Sequence, residues 1–566
     1  MDGASEGSPP EREAQSCSVG KATGTRGNQD LAAGKSGDPL GYFLLDSLSH
    51  PRYHNKVYAA QGREDDEPVG FGQHRAPLFE AVQRYLAEGI IPFHVPGHKQ
   101  GRGLPELTAC LGSQVLAMDL TCLPGLDNIF NPHEALAEAQ ELAAEAYGAD
   151  HAYFLVNGTT SGIQAMIMAV CRPGDKIIIP RNAHKSALGG LIMSGARPVY
   201  LRPEVNPEFG ISTGIRPEQV EEALSEHPDA KAVFVVYPNY YGTASDLPGI
   251  VEVAHRYGVP VLVDEAHGAH FAFHPGFPPS ALQAGADLTA VSTHKLLGSL
   301  TQSSMLLLRE GLLDHRQVKA VLNLAQTTSP SYLLLCSLDL ARKQAATCGR
   351  EIFTRVLALA ERCRAELRRV RGLRILDREA AGRPGCWALD PTKIVVNVTS
   401  LGLSGYEAEV ILRREYRLQA ELSDLYNLLF LITLGDTPET VRALVAALRD
   451  LAAGRARHKL RKFTPPLPAL PPVAALPREA FYSDTREVPL EEASGEISAE
   501  AITAYPPGIP LVCPGELITQ EIIDYVSVLK RENAELQGLQ DPEFKTIRVL
   551  KKVAYLEGQA WAVQAR

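Results

Sequence analysis

A chain of 566 residues exceeds what one small hydrophobic core can organise and implies two or three domains. Its 45% hydrophobic and 22% charged residues describe an ordinary globular protein, and a net charge of −10 excludes the clustered Lys and Arg of a nucleic-acid binder. No apolar run reaches the roughly 20 residues that span a bilayer, and the nine cysteines form no CxxC pair and read as reduced thiols, so a cytoplasmic location without a membrane partner is expected.

The first 15 residues, MDGASEGSPPEREAQ, lack the charged and apolar regions of a secretory signal. Residues 1–72 are expected to be a poorly ordered tail, rich in Gly, Ser and charge up to about residue 40. An amphipathic helix is predicted over 76–88, APLFEAVQRYLAE. From about residue 150 short apolar runs alternate with helix-forming stretches. The runs are AYFLV (152–156), KIIIP (176–180), PVYL (198–201), AVFVV (232–236), PVLVD (260–264), LTAVS (288–292) and SSMLLL (303–308). This alternation predicts an α/β layer with a mainly parallel, seven-stranded sheet. A long helical region at 334–372 closes this part, so a large domain is expected over 73–372. A smaller α/β domain is expected over 373–463. The Pro-rich TPPLPALPPVAALP (464–477) then leads into a last module ending at 566, with a terminal helix over 518–536.

Active sites of such sheets lie at the carboxyl ends of the strands, which makes the residues there the candidates. After AYFLV comes NGTTSGIQ (157–164), which starts a helix. Gly158, Thr159, Thr160 and Ser161 there offer N–H and O–H groups for an anion such as a phosphate, although an ordinary N-cap has the same composition. After IIIP, His184 could stack on a flat ring and move a proton, or be a loop histidine. Asp264 closes an apolar strand. It could hold a protonated ring nitrogen, form a salt bridge, or join Glu265, His267, His270 and His274 around a metal. Lys295 follows the next strand, where desolvation would make its amine a nucleophile. Ser292 and His294 flank it and could reach a phosphate. Zinc explains neither the anion cradle nor Lys295, so no metal is expected. Pyridoxal 5'-phosphate (PLP) explains the cradle, His184, Asp264 and Lys295 together.

The chain resembles the Orn/Lys/Arg decarboxylases of PLP fold type I, and among them the short biosynthetic arginine decarboxylases of bacteria. The resemblance covers about residues 74–566. It is carried by FHVPGHKQG (93–101), DLTCLPGLDNIFNP (119–132), LVNGTTSGIQ (155–164), IIPRNAHKS (178–186), VLVDEAHGAH (261–270), STHKLLGSLTQSSM (292–305), ELSDLYN (421–427) and YPPGIPLVCPGE (505–516). It implies that Lys295 carries PLP as a Schiff base, that Asp264 pairs with the pyridine nitrogen, and that His184 stacks on the ring. Gly158, Thr159, Thr160, Ser292 and His294 would surround the phosphate, with Ala266 under the ring and His267 also against the cofactor. A homodimer with its site at the subunit interface is implied, and TTSPSY (327–332) would serve the neighbour's cofactor. Only about 73 residues precede the match, so neither a wing domain nor a decamer is expected.

The implied reaction is decarboxylation of a basic amino acid, arginine to agmatine first, with lysine or ornithine as alternatives. A guanidinium or ammonium tail needs a carboxylate, and Asp119, Asp127, Asp424 and Glu516 are the candidates. An aminotransferase, a carbon–sulfur lyase and a non-catalytic regulatory relative are the rival readings.

Overall fold

The computed structural model describes residues 72–454, 468–505, 509–531 and 535–551. The expected tail, apart from its last residue, and the first part of the Pro-rich segment lie outside them.

The seven apolar runs are seven strands of one sheet. They are β1 (His151–Leu155), β2 (Lys176–Pro180), β3 (Arg197–Leu201), β4 (Ala232–Val236), β5 (Val261–Asp264), β6 (Leu288–Val291) and β7 (Ser304–Leu308). Their order is β1-β7-β6-β5-β4-β2-β3. The five strands from β6 to β3 run parallel, and β7 is antiparallel to both β6 and β1. A sheet of this kind is covered on both faces, which is why its strands are almost wholly apolar. The side chains still alternate. Along β4, Val233 and Val235 enter one core, and Ala232 and Phe234 enter the other.

Helices supply the two cores. The predicted N-terminal helix is α1 (Pro77–Ala87), whose Leu78, Ala81, Val82 and Tyr85 are buried. α2 (Gly158–Val170) and α3 (Lys185–Ser194) cover the second core with Ile163, Met166, Ile167, Ala187 and Leu191. Gly162 lets α2 press onto the sheet, because a Cβ there would come within 2.7 Å of Leu155 Cδ1. The long helix α4 (Tyr332–Leu367) buries Leu335, Leu338, Phe353, Val356, Ala360 and Leu367 in the first core. It ends five residues before the expected boundary, and Gly372, at φ 100°, turns the chain into the next sheet. Buried Asp339 of α4 pairs with Arg342 and accepts from the Leu78 N–H at 3.0 Å, at the start of α1.

The next sheet has four antiparallel strands: β8 (Arg374–Ile375), β9 (Lys393–Asn397), β10 (Leu422–Ser423) and β11 (Asn427–Leu431), in the order β8-β9-β11-β10. Ile394, Val396 and Leu428 continue the first core, so the small sheet packs directly on the large layer. The C-terminal elements have a core of their own, with Ile502, Val512, Ile522, Val526 and Val549. The terminal helix spans Gln520–Arg531, inside the predicted 518–536. Arg181, just past β2, clamps this module with two 2.6 Å bonds to Glu516 and one of 2.9 Å to the Pro510 carbonyl. Among the described residues, no helix is long and apolar enough to cross a membrane.

Candidate active site

The carboxyl ends of β1, β2, β5 and β6 open on one cavity of about 350 Å³, and all ten residues expected at the site line it. Gly158 begins α2 at φ 72°, a left-handed conformation that favours glycine. Next to it the Thr159 hydroxyl bonds Ser292 Oγ and lies 2.7 Å from Ser304 Oγ. The cradle is thus a knot of three buried hydroxyls from α2, the end of β6 and the start of β7. The loop after β6 closes it, with Gln302 O accepting from the Gly158 N–H at 2.9 Å. His294 gives its Nδ1–H to Ser303 O at 2.8 Å, which leaves Nε2 without the proton in the neutral ring.

His184 caps α3. Its Nδ1 accepts from the Ser186 N–H at 3.2 Å and lies 2.8 Å from Ser186 Oγ, so the neutral ring carries its proton on Nε2. Asp264 is buried, and its Oδ1 accepts from the Ala266 N–H at 3.1 Å. Burial pushes the Asp264 carboxyl up, against the pull of His184 and Lys295. Burial pushes the Lys295 ammonium down, against Asp264 and Glu421. His184 is also lowered by burial. A carboxylate and an amine that share a water-poor cavity each lose solvation of their charged forms. The donor set fits a cofactor with an anionic tail, a basic ring nitrogen and an aldehyde carbon: hydroxyls and a helix N-terminus for the first, Asp264 for the second, Lys295 for the third.

The metal reading does not survive the geometry. Glu265 turns to the other side of the sheet, where it accepts from the Ala281 N–H at 2.9 Å and from Thr289 Oγ1 at 3.2 Å. His270 pairs with Asp390 at 3.4 Å, and His274 lies 3.0 Å from Thr354 Oγ1. Among the described residues one group has the spacing of metal ligands, His151, Glu310 and His315. It sits at the opposite strand ends, and Glu310 Oε1 satisfies both imidazoles, at 3.0 and 2.6 Å.

None of the four acids offered for the substrate tail lines the cavity of this chain. Asp127 is used up by backbone N–H groups of Asn128, His133 and Glu134, Asp424 by Tyr241 and Asn427, and Glu516 by Arg181. Asp119 is held by His98 at 3.1 Å. In TTSPSY the Tyr332 hydroxyl donates to Asp127 O of its own chain at 2.8 Å.

Some cavity residues were not read from the sequence. Tyr240 follows β4 in YPNYYG, and its ring centroid lies 4.4 Å from that of His267 and 5.3 Å from Lys295 Nζ. It sits where the strand-end rule points and was recoverable. Asn182 and Asn239 line the same wall. Behind the cavity lining, Lys393 of the small sheet lies 3.1 Å from His267 Nδ1 and had no local signal.

A hydroxyl-lined helix start, a buried acid and a buried lysine at the strand ends of this sheet define PLP fold type I. Within that class, the chain belongs to the Orn/Lys/Arg decarboxylase family: residues 76–440 match the family's major domain and 458–548 its C-terminal domain. It is a decarboxylase. The chain is 46% identical to an arginine decarboxylase of Bacillus anthracis over 483 residues, 85% of this chain and 98% of that protein. The same identity holds with the arginine decarboxylase of Bacillus subtilis, with 99% of that protein covered. Lysine decarboxylase LdcA of Pseudomonas aeruginosa is 28% identical, over 80% of this chain and 75% of that protein. Among solved structures, the Francisella novicida lysine decarboxylase LdcF superposes with a TM-score of 0.74 at 22% identity, covering 84% of this chain and 81% of that one.

Proposed function

We propose that the chain decarboxylates L-arginine to agmatine and CO2, with PLP bound to Lys295, and that it supplies polyamine synthesis. The observation that carries the chemistry is the single cavity shared by Lys295, Asp264, His184 and the Thr159–Ser292 hydroxyls. The 46% identity to two arginine decarboxylases across nearly their whole length supports arginine. Lysine is the second reading, favoured by the 28% identity to LdcA.

When bound, PLP supplies a protonated ring that takes up the electron pair left on Cα as CO2 departs. The side chains do the rest. Asp264, fixed by the Ala266 N–H, keeps a proton on the group facing it. Burial lowers the Lys295 ammonium and so favours its nucleophilic amine form. Ser292, Thr159 and the start of α2 bind the anionic tail. His294 has its Nδ1–H committed to Ser303, so it donates to a phosphate only as an imidazolium, which the phosphate charge itself would favour. His184 keeps Nε2 for holding or moving a proton, and freed Lys295 is the second group able to give one to Cα.

The working domains are 73–372, 373–463 and 464–566, the last supported by its separate core. A homodimer is supported by an exposed apolar stretch after α1, with Ile91 at 73% and Phe93 at 93% accessibility. A cytoplasmic location is supported by eight cysteines that are all unpaired among the described residues.

The test offers purified, PLP-loaded protein arginine, lysine and ornithine separately and identifies the amine formed. Agmatine with CO2 in the absence of any keto acid is expected. Cadaverine as the main product would replace arginine by lysine, and transfer of the amino group to a keto acid would overturn the reaction.

A further inference from the structure

The edge of the large sheet opposite the cavity carries a second cluster of polar side chains. His151 opens β1, Glu310 lies two residues past the end of β7, and His315 opens the helix His315–Ala325. β1 and β7 are paired with His151 opposite Leu308, which sets residue 310 close to residue 151. Val318 and Leu322 anchor the helix in the second core, and the Tyr153 hydroxyl of β1 donates to His315 O at 3.4 Å. Asp150 Oδ2 accepts from the Glu310 N–H at 2.8 Å. Each of the three side chains thus rises from backbone that its neighbours hold in place.

Their ligating atoms converge. His151 Nε2 lies 3.0 Å and His315 Nδ1 2.6 Å from the same oxygen, Glu310 Oε1, and the three atoms lie within 4.8 Å of one another. The two imidazole rings stack, with centroids 4.5 Å apart and planes 27° from parallel, so their nitrogens address one point side by side. Hydrogen bonds from His151 and His315 hold the Glu310 carboxyl below the usual carboxylate range, so it is an anion at neutral pH. A neutral imidazole has two tautomers. Each ring can therefore move its proton to its far nitrogen and present a lone pair where it now presents an N–H.

Two imidazole nitrogens and a carboxylate oxygen are donors that Zn2+ and its transition-metal neighbours take, with bonds of about 2.0–2.2 Å. At tetrahedral corners such ligand atoms stand roughly 3.4 Å apart. The exposed Glu310 side chain reaches that spacing by swinging outward. Mg2+ and Ca2+ want a shell of oxygens, which two imidazoles do not supply.

We propose that His151 Nε2, His315 Nδ1 and the Glu310 carboxylate bind a divalent transition metal, Zn2+ in the first place, with water completing the shell. The three side chains are between 35% and 50% accessible, so the metal enters from solvent. It ties the start of the helix His315–Ala325 to the ends of two strands, away from the cavity, and its role is to brace the fold.

The test titrates the full PLP-loaded chain, stripped of metal with a chelator, with ZnCl2 in a calorimeter. His151→Gln, His315→Gln and Glu310→Gln are titrated alongside, each matched to the parent by circular dichroism. The comparison cancels Zn2+ bound by cysteines or by other histidines. The parent should take up one equivalent that each histidine variant loses or binds more weakly by at least the 10–100-fold that an outer-shell partner is worth. Zn2+ should also raise the melting temperature of the parent more than that of the variants. Titrations and melting shifts that are the same in parent and variants overturn the proposal. Should a variant not fold, the parent alone decides through histidine modification by diethyl pyrocarbonate, mapped by mass spectrometry. Shielding of His151 and His315 by one equivalent of Zn2+ supports the site, and equal modification with and without Zn2+ overturns it.

Discussion

The cavity has a floor and a wall that were built in different ways. The floor consists of residues at the ends of adjacent strands of one sheet: Asp264 after Val263, Lys295 four residues past Val291, His184 four past Pro180. Each is placed by the strand before it, because parallel strands end together and their next residues emerge at one edge. Behind His267 stands the small sheet, whose Lys393 comes within 3.1 Å of His267 Nδ1 only because two separate sheets pack on a common core. A floor of this kind is fixed by local chain direction. A wall of this kind depends on tertiary packing, and its charges answer to groups on both sides.

That contrast explains what was legible in the sequence. Seven apolar runs gave seven strands, and the residues following four of them gave Gly158, Thr159, Thr160, His184, Asp264, Ser292, His294 and Lys295, while the family resemblance added Ala266 and His267; all ten line the cavity. Period and punctuation carry such information within a few residues. The partner of His267 lies 126 residues away, in DPTKIVVN, where a lysine before an apolar strand looks like an ordinary solvated start. The partners of the acids proposed for the substrate tail were hidden for the same reason. Asp127, in its motif, could serve a ligand or its own turn, and only the fold shows its carboxylate closing on the N–H groups of residues 128–134.

If the floor performs the chemistry, the largest effects belong there. Lys295→Ala should abolish both the visible band and turnover, read by absorbance and by amine product; measurable decarboxylation with PLP would show that another group forms the covalent link. Asp264→Ala should keep some PLP and lose turnover by on the order of 10²–10⁴-fold. Full turnover would remove the ring-nitrogen role, and with it the contrast with the wall.

The cradle should be more forgiving. Thr159→Val removes one hydroxyl of the three-way knot while keeping the branched shape. It leaves Ser292 and Ser304 to bond each other or the phosphate. PLP affinity should weaken by about 10-fold, since one net hydrogen bond is worth about 1 kcal/mol and a charged acceptor somewhat more. Equilibrium dialysis against free PLP measures this, and an unchanged constant would mean that the knot is structural only.

The sharpest version of the comparison lies within one strand end. Asp264 and Glu265 are adjacent buried acids, one in the cavity and one behind the sheet. Burial raises the Glu265 carboxyl to about 8, with the Ala281 N–H and Thr289 hydroxyl opposing the shift. Its folded value therefore exceeds its unfolded one, so between about pH 5 and 8 the native state holds a proton that the unfolded chain has released. Stability from this group must fall as pH rises through that window, by up to about 1.4 kcal/mol per pH unit. Glu265→Gln removes the titration and retains an amide of the same shape, with an oxygen for the Ala281 N–H. Urea unfolding of the two proteins should give similar stabilities near pH 5 and a growing advantage for the glutamine variant toward pH 8, with PLP binding unchanged throughout. Parallel pH profiles would mean that Glu265 is ionised in the fold, and that the back of the sheet is as polar as its cavity side.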